Sequence, residues 1–289
     1  MKVSTSISPV ANVVGEEKAV EIVAKAGFDF FDYDFSFRLV NYNWSTGCAN
    51  YSYHPIARDN YLDYVRQLKK WGEDNGITCH QTHAPFPIMS KDVRDSLKKS
   101  LEITAELGAK ICVIHPDNFK GVKENTEMYL ELLPVAKQYG VKIATENMWN
   151  WSKDGCIPAA CSDEKDFLAH LKAIDDPNFI ACVDVGHAEL KGLNTSAEKI
   201  ILNLGDYVQA LHLHDVDFLE DLHDSLFSQK VDFGPIVNAL KTIDYKGVFS
   251  LEVSKPYSKV KPENLFATVE HDYKMVRKLA DMFEGKIEY

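Results

Sequence analysis

Val141-Lys-Ile-Ala-Thr-Glu146, Phe179-Ile-Ala-Cys-Val-Asp184, Tyr207-Val-Gln-Ala-Leu-His212 and Gly247-Val-Phe-Ser-Leu-Glu252 are four apolar runs that each close on a carboxylate or an imidazole. Each has the length of a buried strand, and a near-continuous apolar run is what a strand covered on both faces requires. Each is followed by a loop and a helical pattern. One polar strand end is a coincidence; four in succession describe one site at a common strand edge. Three carboxylates and an imidazole suit a divalent metal.

Upstream the same alternation continues. Lys2–Ser8 reads as a strand and Glu16–Ala26 as a helix with Ala19, Val20, Ile22, Val23 and Ala26 on one face and Gly27 as its C-cap. Strand-like segments follow at 28–35, 77–83 and 110–115. Helical spacing fills 60–73, 93–107 and 124–139, the last two closed by Gly108 and Gly140. After the quoted runs come helices expected at 163–174, 195–204, 234–243 and 263–283, with Pro262 near the start of the last. Eight strand–helix units without a linker predict an α/β fold, a (β/α)8 TIM barrel, as a single domain over residues 1–289. No Gly-x-Gly-x-x-Gly follows the first strand, which removes the main support for a dinucleotide fold.

Residues 32–58 form an unusually long connection, rich in aromatics such as Phe37, Tyr42, Trp44, Tyr51 and Tyr53. It is expected either to cover the site as a lid or to pack on neighbouring helices. The formal net charge is −11, and the 32 Lys and Arg residues form no basic stripe, which argues against a nucleic-acid partner. No apolar run reaches the length of a membrane span, and the first residues lack the apolar core of a signal peptide, so a cytoplasmic location is expected. The six cysteines form no Cys-x-x-Cys pair and are expected to be reduced structural thiols.

In a barrel of this kind every strand's C-terminal end meets the same face. Glu146, Asp184, His212 and Glu252 are therefore rim neighbours. His83 and His115 end two earlier strands, His187 follows Asp184 by three residues, and Asp221 and His223 form Asp-x-His after the seventh strand. A lone histidine or carboxylate there is most often structural, as a hydrogen-bonding group or an N-cap. Crowded together, such groups repel unless a cation or shared protons bind them.

Thr82-His-Ala-Pro-Phe, Val113-Ile-His-Pro, Ala144-Thr-Glu-Asn-Met-Trp, Val183-Asp-Val-Gly-His, Leu211-His-Leu-His-Asp and Ser250-Leu-Glu-Val resemble the xylose isomerase-like barrel superfamily over about residues 2 to 255. That group includes sugar isomerases and epimerases, inosose-processing enzymes and the endonuclease IV repair enzymes. The resemblance implies one divalent ion (Mn, Co, Mg or Zn) on Glu146, Asp184, His212 and Glu252. It implies Glu146 and Glu252 as proton carriers as well, and His187 against a substrate oxygen. His83, His115, Asp221 and His223 match positions that bind substrate or, in the endonuclease branch, further zinc ions, up to three in all. His214 stands where the family usually has another residue type, which leaves an exchange of roles with His212 as an alternative, and Leu226 and Gln229 replace the Pro and Gly of a turn usual after the Asp-x-His segment.

The function so implied is a metal-dependent isomerase or epimerase of a sugar, sugar phosphate or related polyol, working through a metal-stabilised enediolate. Trp149 and the aromatic connection would shape the substrate pocket. Lys255, Lys259 and Lys261 are the candidates for a phosphate. The alternatives are an endonuclease IV-like zinc phosphodiesterase, an inosose-type dehydratase and a non-catalytic binding barrel. The expected partner is a small sugar-like molecule, with no nucleic acid and no membrane, and the resemblance implies a homo-oligomer.

Overall fold

Eight parallel strands form the centre of the computed structural model, which describes residues 1–288. They are β1 (Val3–Ser6), β2 (Phe30–Asp34), β3 (Thr78–His83), β4 (Ile111–Val113), β5 (Lys142–Glu146), β6 (Phe179–Asp184), β7 (Val208–His212) and β8 (Phe249–Leu251). They are hydrogen-bonded in the order β7-β6-β5-β4-β3-β2-β1-β8. The ring closes between β7 and β8 through a short bridge past the end of β7, where Leu213 N–H donates to Ser250 O at 2.8 Å and Glu252 N–H to Leu213 O at 3.1 Å. Around the strands run helices α1 (Glu16–Ala26), α2 (Tyr61–Asp74), α3 (Lys91–Leu107), α4 (Val122–Tyr139), α5 (Glu164–Ile174), α6 (Ala197–Leu204), α7 (Phe233–Thr242) and α8 (Leu265–Phe283). This is the (β/α)8 barrel the alternation predicts, with boundaries within a few residues.

The helices end where the sequence says they should. Gly27, Gly108 and Gly140 take φ of 108°, 86° and 65°, the left-handed region that a side chain disfavours. Three local elements carry no strong periodic signal and are not anticipated: a short helix at Ser8–Val14 and two hairpins, Val40–Asn43 with Cys48–Tyr51 and Trp149–Ser152 with Gly155–Pro158. The six cysteines are free, and five are buried. Among the described residues no helix is long and apolar enough to cross a membrane.

The barrel lumen is split chemically. Ile111, Val113, Ala144, Ile180, Cys182 and Ala210 make an apolar plug on the β4–β7 side. Opposite them the filling is polar: Asp32 accepts hydrogen bonds from Ser4 and Ser250, and Gln81 reaches Leu211 O. The main apolar core lies between strands and helices.

The long connection after β2 is rooted rather than loose. Phe35, Leu39, Val40 and Ile56 are buried, and Arg38 Nε donates to Glu16 Oε1 at 2.5 Å. Tyr33 OH donates to the same oxygen at 2.8 Å, Tyr64 OH to Glu16 Oε2, and His54 Nε2 lies 3.5 Å from Oε2. Burial alone would raise the Glu16 pKa, but His54, Arg38 and Tyr64 together bring it down to about 2. A carboxylate whose folded pKa lies below its unfolded value stabilises the fold above the unfolded pKa. That stabilisation is lost as pH falls from about 4.5 through 2. Glu16→Gln is expected to lower stability at pH 7 by about 3 kcal/mol and to flatten the acid dependence between those limits, as read from urea midpoints at pH 7 and pH 3.

Candidate functional site

At the C-terminal face two groups of side chains share Glu146, which is 1% exposed. In the first group His212 Nδ1 lies 3.2 Å from Glu146 Oε2 and 2.9 Å from Glu252 Oε2. Neither contact is aligned as a hydrogen bond, so this buried nitrogen has no partner. His115 Nε2 is 3.1 Å from Glu146 Oε2, and His83 Nε2 is 2.8 Å from His115 Nε2. In the second group His187 Nε2 and His223 Nε2 each lie 3.2 Å from Asp221 Oδ2. Glu146 Oε1 joins the two groups, 3.5 Å from His187 Nδ1.

Of the four strand-end residues, Glu146, His212 and Glu252 thus meet directly. Asp184 faces the second group instead. Its carboxylate accepts His187 N–H at 2.6 Å, capping the single helical turn Val185–Ala188, and lies 3.0 Å and 3.1 Å from His214 Nε2. His83 and His115 fall in the first group, and Asp221 and His223 in the second. His214, stacked on His223 at 4.0 Å between ring centres, belongs to the second group and is the histidine that meets Asp184, as the alternative exchange of roles with His212 would have it.

The imidazoles are oriented from behind. His83 Nδ1 pairs with Ala84 O at 2.9 Å, His187 Nδ1 with Asn147 O at 3.0 Å and His223 Nδ1 with Glu252 O at 2.8 Å. A carbonyl can only accept, so each Nδ1 carries the proton and each Nε2 faces the site. That is how histidines are held for metal ligation. Without an ion, protons balance the charge. Burial would raise the pKa of Glu146, yet His212 and His115 hold it well below the usual carboxylate range, and Glu252 is likewise depressed by His212 and His223. Burial would lower His187, but Asp184 and Asp221 raise it well above the usual imidazole range. His223 is pushed up to about 10, with Asp221 outweighing burial. Buried nitrogens and oxygens without partners, among them His212 Nδ1 and Asp221 Oδ1, sit beside ionised carboxylates. This donor set fits a divalent cation.

Two residues that the sequence reading passed over build the rim. Asn147 accepts Asp184 N–H at 2.8 Å and donates to Asp184 O at 2.8 Å, continuing the β5–β6 pairing with its amide beyond the last backbone rung. Gly186 is required by proximity, since a Cβ there would fall 1.9 Å from His214 Cε1. After β7, Asp215 accepts Gln229 N–H at 2.8 Å and Val231 N–H at 3.0 Å, and its backbone pairs with Asp224. This buried carboxylate shapes the loop that presents Asp221 and His223, in place of the Pro and Gly turn.

Above the rim opens a pocket of about 370 Å³, within the range of small-molecule sites. Phe37, Trp44, Phe86, Trp149 and Trp151 wall it, and Glu146, His187 and Glu252 are among the polar groups that line it. Of the long connection after β2, Ser36, Phe37 and Trp44 reach the pocket, whereas Tyr53 is 97% exposed.

The family model described as xylose isomerase-like TIM barrel matches residues 20–279. The chain belongs to this family. An uncharacterized protein of Methanocaldococcus jannaschii is 27% identical over 218 residues, 69% of this chain and 71% of that one. Among solved structures, an L-ribulose 3-epimerase superposes with a TM-score of 0.73 at 17% identity, covering 99% of this chain and 97% of its own. A D-tagatose 3-epimerase-like protein gives 0.71 at 20% identity, with 99% of each chain covered. At these identities the likeness is one of fold. The family barrel accounts for the common edge at which the two groups meet.

Two substitutions test how the rim is held. Gly186→Ala is expected to cost about 1–3 kcal/mol in chemical denaturation, because the His214 ring must move. Asn147→Ala is expected to fold and to weaken divalent-ion binding about 10- to 100-fold, measured by competition with a chelating dye.

Proposed function

We propose that the chain is a divalent-metal-dependent isomerase or epimerase of a sugar or related polyol. The observation that carries this reading is the pair Glu146 and Glu252. They are ionised carboxylates from strands three places apart in the ring, converging on His212 Nδ1 at the floor of one aromatic-walled pocket. Membership of the family, and a fold shared with an L-ribulose 3-epimerase and a D-tagatose 3-epimerase-like protein, support it.

Glu146, His212 and Glu252, which meet directly, would hold the ion, and Asp184, the fourth ligand the family resemblance implies, would have to turn from His214 to join them. A divalent cation supplies Lewis-acid polarisation of a carbonyl and its neighbouring hydroxyl, which acidifies the C–H between them. The carboxylates do the proton work. One accepts the proton from carbon and the other returns one, to the opposite face for epimerisation or to the neighbouring carbon for isomerisation. Both are held ionised, so either can begin as the base. His187, which lines the pocket, would orient a substrate oxygen. Trp149 and Trp44 cover the sugar and limit water, which protects the carbanionic intermediate from stray protons.

A second reading has its own observation. His187, Asp221 and His223 form a further donor group beside the first, as a phosphodiesterase of the endonuclease IV type would use. The net charge of −11 and the aromatic-walled pocket speak for the sugar reading.

The test is proton exchange. In heavy water, with Mn²⁺ present, the protein is expected to introduce deuterium next to the carbonyl of a ketose, as followed by NMR over fructose, tagatose, psicose and ribulose. Glu146→Gln and Glu252→Gln should each lower the exchange rate roughly 10²- to 10⁴-fold, and a chelator should stop it. Incision of abasic duplex DNA without any ketose exchange would establish the second reading instead.

A further inference from the structure

The pocket above Glu146 and Glu252 does not end at its aromatic walls. A side compartment of about 50 Å³ opens beside it, lined in part by Met89 and Phe119. It shares Trp44, Phe86, Asn118 and Asn150 with the main chamber, so the two adjoin. Trp44 and Phe86 stand at the junction with ring centres 6.2 Å apart. Trp44, Met89 and Phe119 are 63%, 44% and 68% exposed, a run of apolar surface leading out of a polar site. Exposed apolar side chains beside a binding pocket suit the apolar face of a ligand. Asn118 and Asn150 brace each other across the junction, Asn150 Nδ2 donating to Asn118 O at 3.3 Å. Their amides supply donors and acceptors suited to hydroxyl groups.

Charge narrows the ligand further. Among the described residues no lysine or arginine lines either compartment, whereas Asp34, Glu146, Asp221 and Glu252 line the main one. Lys255, a phosphate candidate from the sequence, is engaged by Asp224 at 2.8 Å, and Lys259 and Lys261 line neither compartment. The histidines of the rim do not fill the gap, because His187 and His223 both turn to Asp221. A phosphate dianion in the pocket would face carboxylates with no free cation from the side chains.

We infer that the substrate is a neutral ketose bearing an O-linked substituent, a glycoside rather than a free monosaccharide or a sugar phosphate. The inference rests on the isomerase or epimerase reading of the same site. The ketose unit takes the chamber over Glu146 and Glu252. Its substituent leaves across the Trp44–Phe86 junction and lies against Phe119.

The experiment compares lactulose and maltulose, two disaccharides with a ketose unit, with fructose and fructose 6-phosphate. Binding to the Mn²⁺-loaded full chain is measured by calorimetry, and deuterium exchange is followed in parallel. At least one disaccharide is expected to bind about tenfold more tightly than fructose, with the phosphate weakest. Phe119→Ala should shrink that preference to about threefold or less. Met89→Ala should shrink it in the same direction and serves as a second variant if the first folds poorly by circular dichroism. Equal binding of fructose and both disaccharides, or tightest binding of the phosphate, overturns the inference. Deuterium exchange on fructose in that case leaves the parent reading standing. Neither binding nor exchange with any of the four overturns both.

Discussion

A carboxylate at 1% exposure is the constraint around which the rest of the site is arranged. Glu146 ends β5 in a place where water cannot solvate its charge, and an isolated buried charge would neutralise instead. Here four imidazoles close around it, from His83, His115, His187 and His212. They come from the ends or following loops of β3, β4, β6 and β7, so the charge of one residue organises half the ring. The same contacts give Glu146 two faces, Oε2 toward the first group and Oε1 toward the second.

Backbone chemistry sets where these groups stand. Strands alone would bring their ends together only approximately. Asn147 extends the β5–β6 pairing past its last backbone rung, and its carbonyl fixes His187. Gly186 lets His214 approach the turn that Asp184 caps. Asp215 sews the loop after β7 into a fixed path. None of the three needs to touch a ligand to matter, since each decides the direction of a residue that can.

Most of the barrel was legible in the sequence, because apolar runs and helical spacing report burial and burial is what the fold repeats eight times. The polar strand ends were legible for the same reason: a charged residue at the close of a buried run is conspicuous. What escaped was local. The hairpin at 149–158 is announced by Lys153-Asp-Gly155, with Gly155 at φ 118°, but its strands are short and half-exposed, so no period-two signal stands out. His214 was legible only as an alternative to His212, because its place depends on a stack against His223, a contact that spacing does not encode. The turn of Asp184 toward His214 rather than His212 escaped too, since neighbours on a rim are chosen by side-chain direction and not by strand order. Of the long connection after β2, the sequence left open whether it covers or merely packs; the structure divides it into a buried root at Glu16 and a tip that carries Trp44 to the pocket.

The ring is stitched most thinly beside the candidate site. Between β7 and β8 the closure is a bridge at Leu213, and its second hydrogen bond belongs to Glu252 itself. Parting that seam would carry Glu252 away from His212. A cation gripped by Glu146, His212 and Glu252 would therefore act as a rivet through β5, β7 and β8. Anything that binds the closed ring and not the opened one adds to its stability by mass action. In this barrel the fastener and the proposed reactive centre would be the same few atoms, so loading the site and shutting the ring would become one event.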